Sequence, residues 1–242
     1  MLNPAMLSSR TYHLICNPTR CIKVVTDILA KREMVMNEHP DMQTTPVSPI
    51  FVWEPMEGSC RPTELSSFYQ ALRFVDVFSP NEHELDLLFN GLKANENEVM
   101  PIGSLQHLCK RLLTQGSEKK PSAVIVRTGA AGCVVASHQR LLSFPAYHRP
   151  PIDCAAEKLA AWHDRKTKTW DVTGGGNAFL GGFCMGLLSW SNDQVNNHGF
   201  TDFEFAAVYG SVAASFAIEQ VGMPNLSRRK EDGKELWNED GK

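Results

Sequence analysis

Trp170-Asp171-Val172-Thr173-Gly174-Gly175-Gly176-Asn177-Ala178-Phe179-Leu180-Gly181-Gly182-Phe183 is the stretch that decides how this chain is read. Three successive glycines stand between a β-type entry and an apolar continuation of helical character. Glycine there admits positive φ and lets an anion approach the amides with no Cβ in the way. A helix starting at or near Gly176 turns its unpaired N–H groups and its positive dipole end toward one point. That is an anion cradle, suited to a phosphate or to charge that develops during phosphoryl transfer. The competing reading is a glycine-rich turn that packs a helix close to a sheet, although Gly181-Gly182 already serves that purpose. A dinucleotide fingerprint fails, because the third position after Gly174 and Gly176 is Phe179, and the chain has no Gly-Lys-Ser/Thr.

Outward from this stretch, strands and helices alternate. Thr11 to Ile15 is β-prone, and Asn17 with Pro18 opens a helix whose apolar face is Ile22, Val25, Ile28 and Leu29. Asn37 to Pro49 is polar, holds three prolines and reads as a loop. Pro49 to Trp53 is a strand closed by Glu54-Pro55. A helix from about Pro62 to Arg73 follows, with Leu65, Phe68, Tyr69 and Leu72 facing inward. Val75 to Phe78 is a strand, and Ser79-Pro80-Asn81-Glu82 is expected to cap a helix through Phe89. Then come a helix over about Gly103 to Thr114, a strand at Ala123 to Val126, and hairpin strands at Cys133 to Ala136 and Leu141 to Phe144. Two helices close the order, about Gly176 to Trp190 and Asp202 to Gln220. This pattern predicts an α/β fold with a largely parallel sheet.

Composition narrows the classes. The chain has 242 residues, 43% hydrophobic and 21% charged, as soluble globular proteins do. A net charge of −3 leaves no electrostatic footprint for nucleic acid or an anionic membrane. No apolar run reaches the roughly 20 residues of a membrane helix. The start Met1-Leu2-Asn3-Pro4 lacks a signal-peptide pattern. Seven cysteines without C-x-x-C spacing, and eight histidines without ligand spacing, read as reduced thiols and ordinary side chains. Cytoplasm is the expected compartment, with the nucleus as the alternative.

With those residues in view, Asp171 to Phe183 resembles the second signature of the ribokinase-like (pfkB-type) carbohydrate kinases, D-T-x-G-A-G-D-x-F-x-x-G-F. Asp171, Thr173, Gly174, Gly176, Phe179, Gly182 and Phe183 fall on its positions. Asn177 stands where the family has its catalytic base Asp, and Gly175 where it has Ala. G-G-G-N resembles the fungal, maintenance-of-killer-type branch of the family. The resemblance implies a three-layer α/β fold with a parallel central sheet, and phosphotransfer from ATP to a sugar hydroxyl. It gives Gly174, Gly175 and Gly176 the anion hole, and Asp171 with Thr173 a monovalent cation such as K⁺. Asp171 also reads as a turn or cap residue.

Asn81-Glu82-His83-Glu84 matches the family's N-x-x-E motif, which implies that Asn81 and Glu84 hold hydrated Mg²⁺. A carboxylate one turn into a helix suits a metal that keeps most of its waters. The same residues also read as ordinary helix-start groups. Arg127-Thr128-Gly129-Ala130-Ala131-Gly132 resembles the family's T-L-G-x-x-G turn, which meets the nucleotide's ribose and phosphates, and also reads as a plain hairpin turn. Ser211 falls about where the family often has Asn in its adenine slot. Small residues around it also mean close helix packing.

The resemblance covers Pro49 to Pro224, the C-terminal part of a family member. The N-terminal strands, the G-G sugar motif and the β-lid have no counterpart in the sequence, so a sugar acceptor is doubtful. Met1 reads as a short natural start or as an internal methionine of a longer product. Residues 1–48 are expected as a partial β–α unit and loop, 49–225 as the core, and 226–242 as a disordered charged tail. Residues 155–170, with the basic run His163 to Lys168, read as an insert: a phosphate-binding segment, a solvated loop or a gene-model artefact. Exposed sheet edges call for cover by a homo- or hetero-oligomer. Function divides between an impaired carbohydrate kinase, a nonenzymatic nucleotide-binding or scaffold protein, and an incomplete gene product.

Overall fold

Ile-Phe-Val-Trp-Glu-Pro at Ile50–Pro55 is apolar without alternation, which suits a strand covered on both faces. In the computed structural model it is β2, buried from Phe51 onward. The structure describes residues 4–38, 48–91, 101–116, 120–148, 171–190, 199–222, 226–228 and 235–237. These form two compact units, one of Met1–Thr128 with Cys133–Ser143, the other of Gly129–Gly132 with Phe144–Lys242.

The first unit is built on a sheet whose strands run in chain order: β1 (Thr11–Cys16), β2, β3 (Val77–Phe78), β4 (Ala123–Arg127), β5 (Cys133–Ser137) and β6 (Leu141–Phe144). β1 to β4 are parallel, with Thr11 opposite Ile50 and Val77 opposite both Val52 and Ala123. β5 returns antiparallel, with Arg127 opposite Cys133. This is the largely parallel α/β sheet that the alternating pattern implies. Its helices are the short α1 (Pro4–Leu7), then α2 (Pro18–Glu38), α3 (Leu65–Leu72), α4 (Glu82–Asn90) and α5 (Ile102–Gln115).

The core centres on Trp53, whose ring stacks on Phe68 at 5.2 Å and tilts against Phe78 at 4.9 Å. Its indole N–H is not left unpaired, because Nε1 donates to the Cys16 carbonyl at 2.9 Å. Cys16, Cys21, Val25 and Ile28, from β1 and α2, belong to the same core cluster as Phe51 and Trp53 of β2.

Several boundaries differ from expectation for local reasons. Asn81, not Ser79, caps α4, because the Asn81 side chain accepts from the Glu84 N–H while Glu84 accepts from the Asn81 N–H. Ser79 is buried and donates instead to the Ile125 carbonyl at 2.9 Å. α2 continues to Glu38, past the expected loop start, and Leu29 on its expected inner face is 44% exposed. Pro62–Glu64 is a 3-10 turn ahead of α3.

In the second unit, α6 (Gly175–Ser189) and α7 (Asp202–Ala217) pack against each other. The approach is close. A Cβ on Gly182 would stand 2.6 Å from Ala213 Cβ and 2.7 Å from Tyr209 O, and one on Gly210 would stand 2.8 Å from Phe179 O. Thr201 and Glu204 form a capping box at the start of α7. Within 226–242, expected as a tail, β7 (Leu226–Arg228) pairs antiparallel with β8 (Glu235–Trp237). The expected insert 155–170 lies outside the described residues.

Candidate functional site

Open parallel sheets bind ligands outside the carboxyl ends of their strands. In the first unit, charged groups collect at that edge. β2 ends on Glu54-Pro55, β3 leads into Asn81 and Glu84 at the start of α4, and β4 ends on Arg127. Asn81 and Arg127 are joined by an isolated parallel bridge, which ties the α4 start to the end of β4.

Arg127 Nη2 lies 2.8 Å from Glu54 Oε1 and 3.6 Å from Glu84 Oε2, and it donates to the Ser79 carbonyl at 3.2 Å. His13 Nε2 lies 2.9 Å from Glu54 Oε2. Arg127 Nε is buried without a partner among the described residues. The two carboxyls respond differently. Burial works against charge on Glu54, but the His13 hydrogen bond and the Arg127 charge outweigh it and hold the carboxyl below the usual range. On Glu84 burial wins over the Asn81 amide and the more distant Arg127, and its pKa is pushed up to about 7. Near neutral pH, Glu84 therefore carries a proton for part of the time, whereas Glu54 is ionised.

In the second unit, Gly174 caps α6 with φ 83° and ψ −12°. That is the one positive φ among the three glycines of the expected cradle; the other two lie inside the helix. The Gly175 N–H donates to Val172 O at 3.1 Å and the Ala178 N–H to Gly174 O at 2.9 Å. The N–H groups of Gly176 and Asn177 remain as the first-turn donors with no described acceptor, and α6 has no side-chain cap. Asn177 is exposed. Gly175 carries a second constraint, since a Cβ there would meet Ile218 Cγ2 at 2.9 Å. Asp171 Oδ1 accepts from the Thr173 N–H at 2.9 Å, and its carboxyl is held low by the Thr173 hydroxyl and amide. The pair thus forms a local turn.

Gly129 and Gly132 take φ 55° and 102° in the turn between β4 and β5. At Gly132 a Cβ would collide with Phe144 O, so the tight turn alone accounts for this glycine. Thr128 ends the first stretch of the first unit, and Ser211 is half-buried on α7. Asn81 and Glu84 are brought together, as are Asp171 with Thr173 and Gly174 with Gly175 and Gly176. Among the described residues, no group of three or more His, Cys, Asp and Glu could hold a metal ion. No described helix is long and apolar enough to cross a membrane.

Sequence reasoning missed Glu54 and His13, and it took Arg127 only as the lead into the glycine turn, not as the partner of two carboxyls. A signal existed for two of them: Glu54 and Arg127 each end an apolar strand run with a charge, at the edge where ligands gather in such sheets.

The pfkB family carbohydrate kinase model matches residues 59–229. The chain belongs to this family. Among curated relatives, this pfkB member is 26% identical to Protein MAK32 of Saccharomyces cerevisiae, over 88% of this chain and 50% of that protein. It is 29% identical to a ribokinase of Lactococcus lactis, over 69% of this chain and 41% of that protein. The chain thus spans half or less of the length of these two relatives. A fructokinase of Vibrio cholerae in its fructose-, ADP- and calcium-bound form shares the fold, with a TM-score of 0.52 at 18% identity. That match covers 88% of this chain and 56% of the fructokinase.

Proposed function

We propose that this pfkB member binds the phosphates of ATP or ADP at the start of α6 and is impaired in phosphotransfer to a sugar-like hydroxyl. The observation that carries the reading is the uncapped α6 start, where Gly174 at φ 83° leaves the Gly176 and Asn177 N–H groups without a described acceptor. Two free first-turn donors and the positive dipole end suit phosphate oxygens. Gly129, Gly132 and Ser211, in the same unit as α6, are the proposed contacts for the rest of the nucleotide.

Bound ATP would supply the phosphoryl group. Glu84 fits a single outer-sphere Mg²⁺ anchor, because its contacts with Asn81 and Arg127 fall on Oε2 alone. Asp171 and Thr173 fit a monovalent cation poorly, since the carboxylate already bonds its own turn. The impairment follows from Asn177: its amide can hydrogen-bond an acceptor hydroxyl but cannot take the proton. A positioned base contributes about 10²- to 10⁴-fold, so a loss of that order is expected. The cytoplasm is the proposed location, with a further chain over β1, an edge strand of the sheet among the described residues.

Calorimetry with ADP and ATP, with and without Mg²⁺, tests binding, and a phosphate-transfer assay on the same preparation tests turnover. ADP affinity lost in Gly174→Ala but kept in Gly181→Ala supports the cradle. Absence of binding at millimolar nucleotide sinks it. A second reading, nucleotide binding without catalysis, is favoured by the exposed Asn177; binding without turnover of any sugar would establish it.

A further inference from the structure

The far end of the β4–β5 pair carries an inference independent of the nucleotide reading. Arg127 stands opposite Cys133 at one end of this pair, and Ala123 stands opposite Ser137 at the other. The two ends lie about 13 Å of strand apart. At the Ser137 end, α5 packs on β5 and the two leave a cleft of about 580 Å³, a size common for small-molecule sites. Leu113 of α5 and Ala136 of β5 give it a buried apolar floor. Lys110 of α5 and His138 and Arg140 of the β5–β6 turn also line it.

The charge of the lining has one sign. None of its described residues is acidic, although the whole chain carries a net charge of −3. α5 holds no Asp or Glu, so Lys110 has no carboxylate one turn away on its own helix. Arg111, the next residue, is engaged elsewhere, with its guanidinium 5.1 Å over the Phe89 ring. The facing wall is braced. The Ser137 N–H donates to the Arg140 carbonyl at 2.9 Å, and Ser137 Oγ accepts the Gln139 and Arg140 N–H groups at 3.3 Å each. His138 Nε2 donates to the Pro121 carbonyl at 3.1 Å, which ties the turn to the segment leading into β4. A ligand therefore meets a preformed wall and has little ordering to impose on it.

We propose that this cleft binds a phosphate monoester with an apolar body. Lys110 and Arg140 together match the charge of a phosphate monoester near neutral pH, about −1.5 to −2. The Arg140 guanidinium offers a planar fork and the Lys110 ammonium a point charge, and both suit phosphate oxygens. Leu113, Ala136 and Leu141 supply apolar surface for the body of the ligand to cover. A carboxylate brings one charge to two cations, and inorganic phosphate leaves the floor uncovered.

The test titrates the isotope-labelled full chain with phenyl phosphate and follows its backbone amides by NMR. The largest shifts are expected at Lys110, Gln139 and Arg140. Lys110→Gln should weaken binding by about tenfold, the scale of one charge-assisted hydrogen bond. Arg111→Gln removes the same charge one residue along and should change affinity by less than about twofold. Inorganic phosphate and benzoate should each bind more weakly than phenyl phosphate. Lys110 and Arg111 are both exposed, so neither variant disturbs the core. The proposal is overturned if no amide within 110–114 or 137–141 shifts at millimolar phenyl phosphate. Shifts confined to Gly176 and Asn177 would overturn it too, while leaving the α6 reading in place. Equal weakening by Lys110→Gln and Arg111→Gln would mean a diffuse charge effect and sink it, as would benzoate binding as tightly as phenyl phosphate. The wild-type shift map locates the ligand without either variant.

Discussion

Arg127 Nη2 approaches Glu54 Oε1 to 2.8 Å while standing 3.6 Å from Glu84 Oε2, so one nitrogen serves two buried carboxyls unequally. The closer carboxyl keeps its charge, with His13 on its other oxygen, and the farther one is driven toward its neutral form by burial. Burial alone would raise both. The shorter Arg127 contact and the His13 bond favour charge on Glu54, while the nearby Glu54 and Glu57 charges add to burial in disfavouring it on Glu84.

Removing the guanidinium should therefore cost more than a surface ion pair does. In Arg127→Met, Glu54 keeps only His13, Glu84 loses its cation, and the β4 end loses its bond to the Ser79 carbonyl. A destabilisation of about 3 kcal/mol is expected, the scale for leaving a buried charge without its partner. Urea unfolding of the two proteins checks it. A loss below about 1 kcal/mol would mark the pair as equivalent to exposed ones.

Glu84 gives a pH signature of definite sign. Folded, it holds its proton up to about 7, whereas its ordinary value is near 4.5. Between those values the folded state binds more protons, so stability falls as pH rises through the window and levels off above it. Glu54 acts oppositely and lower: its depressed pKa gives stability that is lost as pH falls through the folded value. Glu84→Gln should remove the decline between pH 5 and 8, a difference on the order of 3 kcal/mol at most. Denaturation midpoints at those two pH values read it out, and parallel pH curves for both proteins would refute it.

The sheet was legible because β2 and β4 are apolar runs without alternation, closed by Pro55 and Gly129, and the helices between them show plain 3.6-residue spacing. The α6 start was legible because glycine is the residue for a left-handed cap. What stayed hidden is side-chain company. N-x-x-E predicts that Asn81 and Glu84 meet, because three residues make one helical turn. Nothing in the sequence says that residues 13, 54 and 127, far apart in the chain, share that neighbourhood. The capping box at Thr201 and Glu204 repeats the same three-residue geometry at the start of α7, outside any motif the family resemblance assigns. The motif alone therefore does not distinguish a site from a helix start.

Adjacent glycines of α6 should respond in opposite directions. A Cβ on Gly181 meets nothing within 4 Å, so Gly181→Ala should stabilise by about 0.5–1 kcal/mol through helix propensity. A Cβ on Gly182 would meet the Tyr209 carbonyl oxygen at 2.7 Å, and backbone yields little, so Gly182→Ala should cost about 1–3 kcal/mol. Thermal unfolding of both variants gives the comparison. Equal shifts would mean that α6 and α7 do not pack through Gly182.

Asn177→Asp separates the helix from the chemistry. Asn177 is the third residue of α6, exposed, at the positive end of the dipole. A carboxylate there should stabilise the helix by about 0.3–1 kcal/mol at neutral pH, and less in high salt. The proposed function makes a second demand. The new carboxylate can take a proton from an acceptor hydroxyl, but only where one is held, and this chain spans half or less of MAK32 and the Lactococcus ribokinase. Turnover by the chain alone should stay near background in both forms. Fused behind the preceding part of a longer relative, the Asp form should exceed the Asn form by about 10²- to 10⁴-fold, with ADP affinity changed little. The stability shift without the rate gain, in a folded fusion that binds ADP, would leave α6 as a phosphate-binding helix and overturn the kinase reading. Equal and rapid turnover by the Asn form would show that the proton leaves by another group.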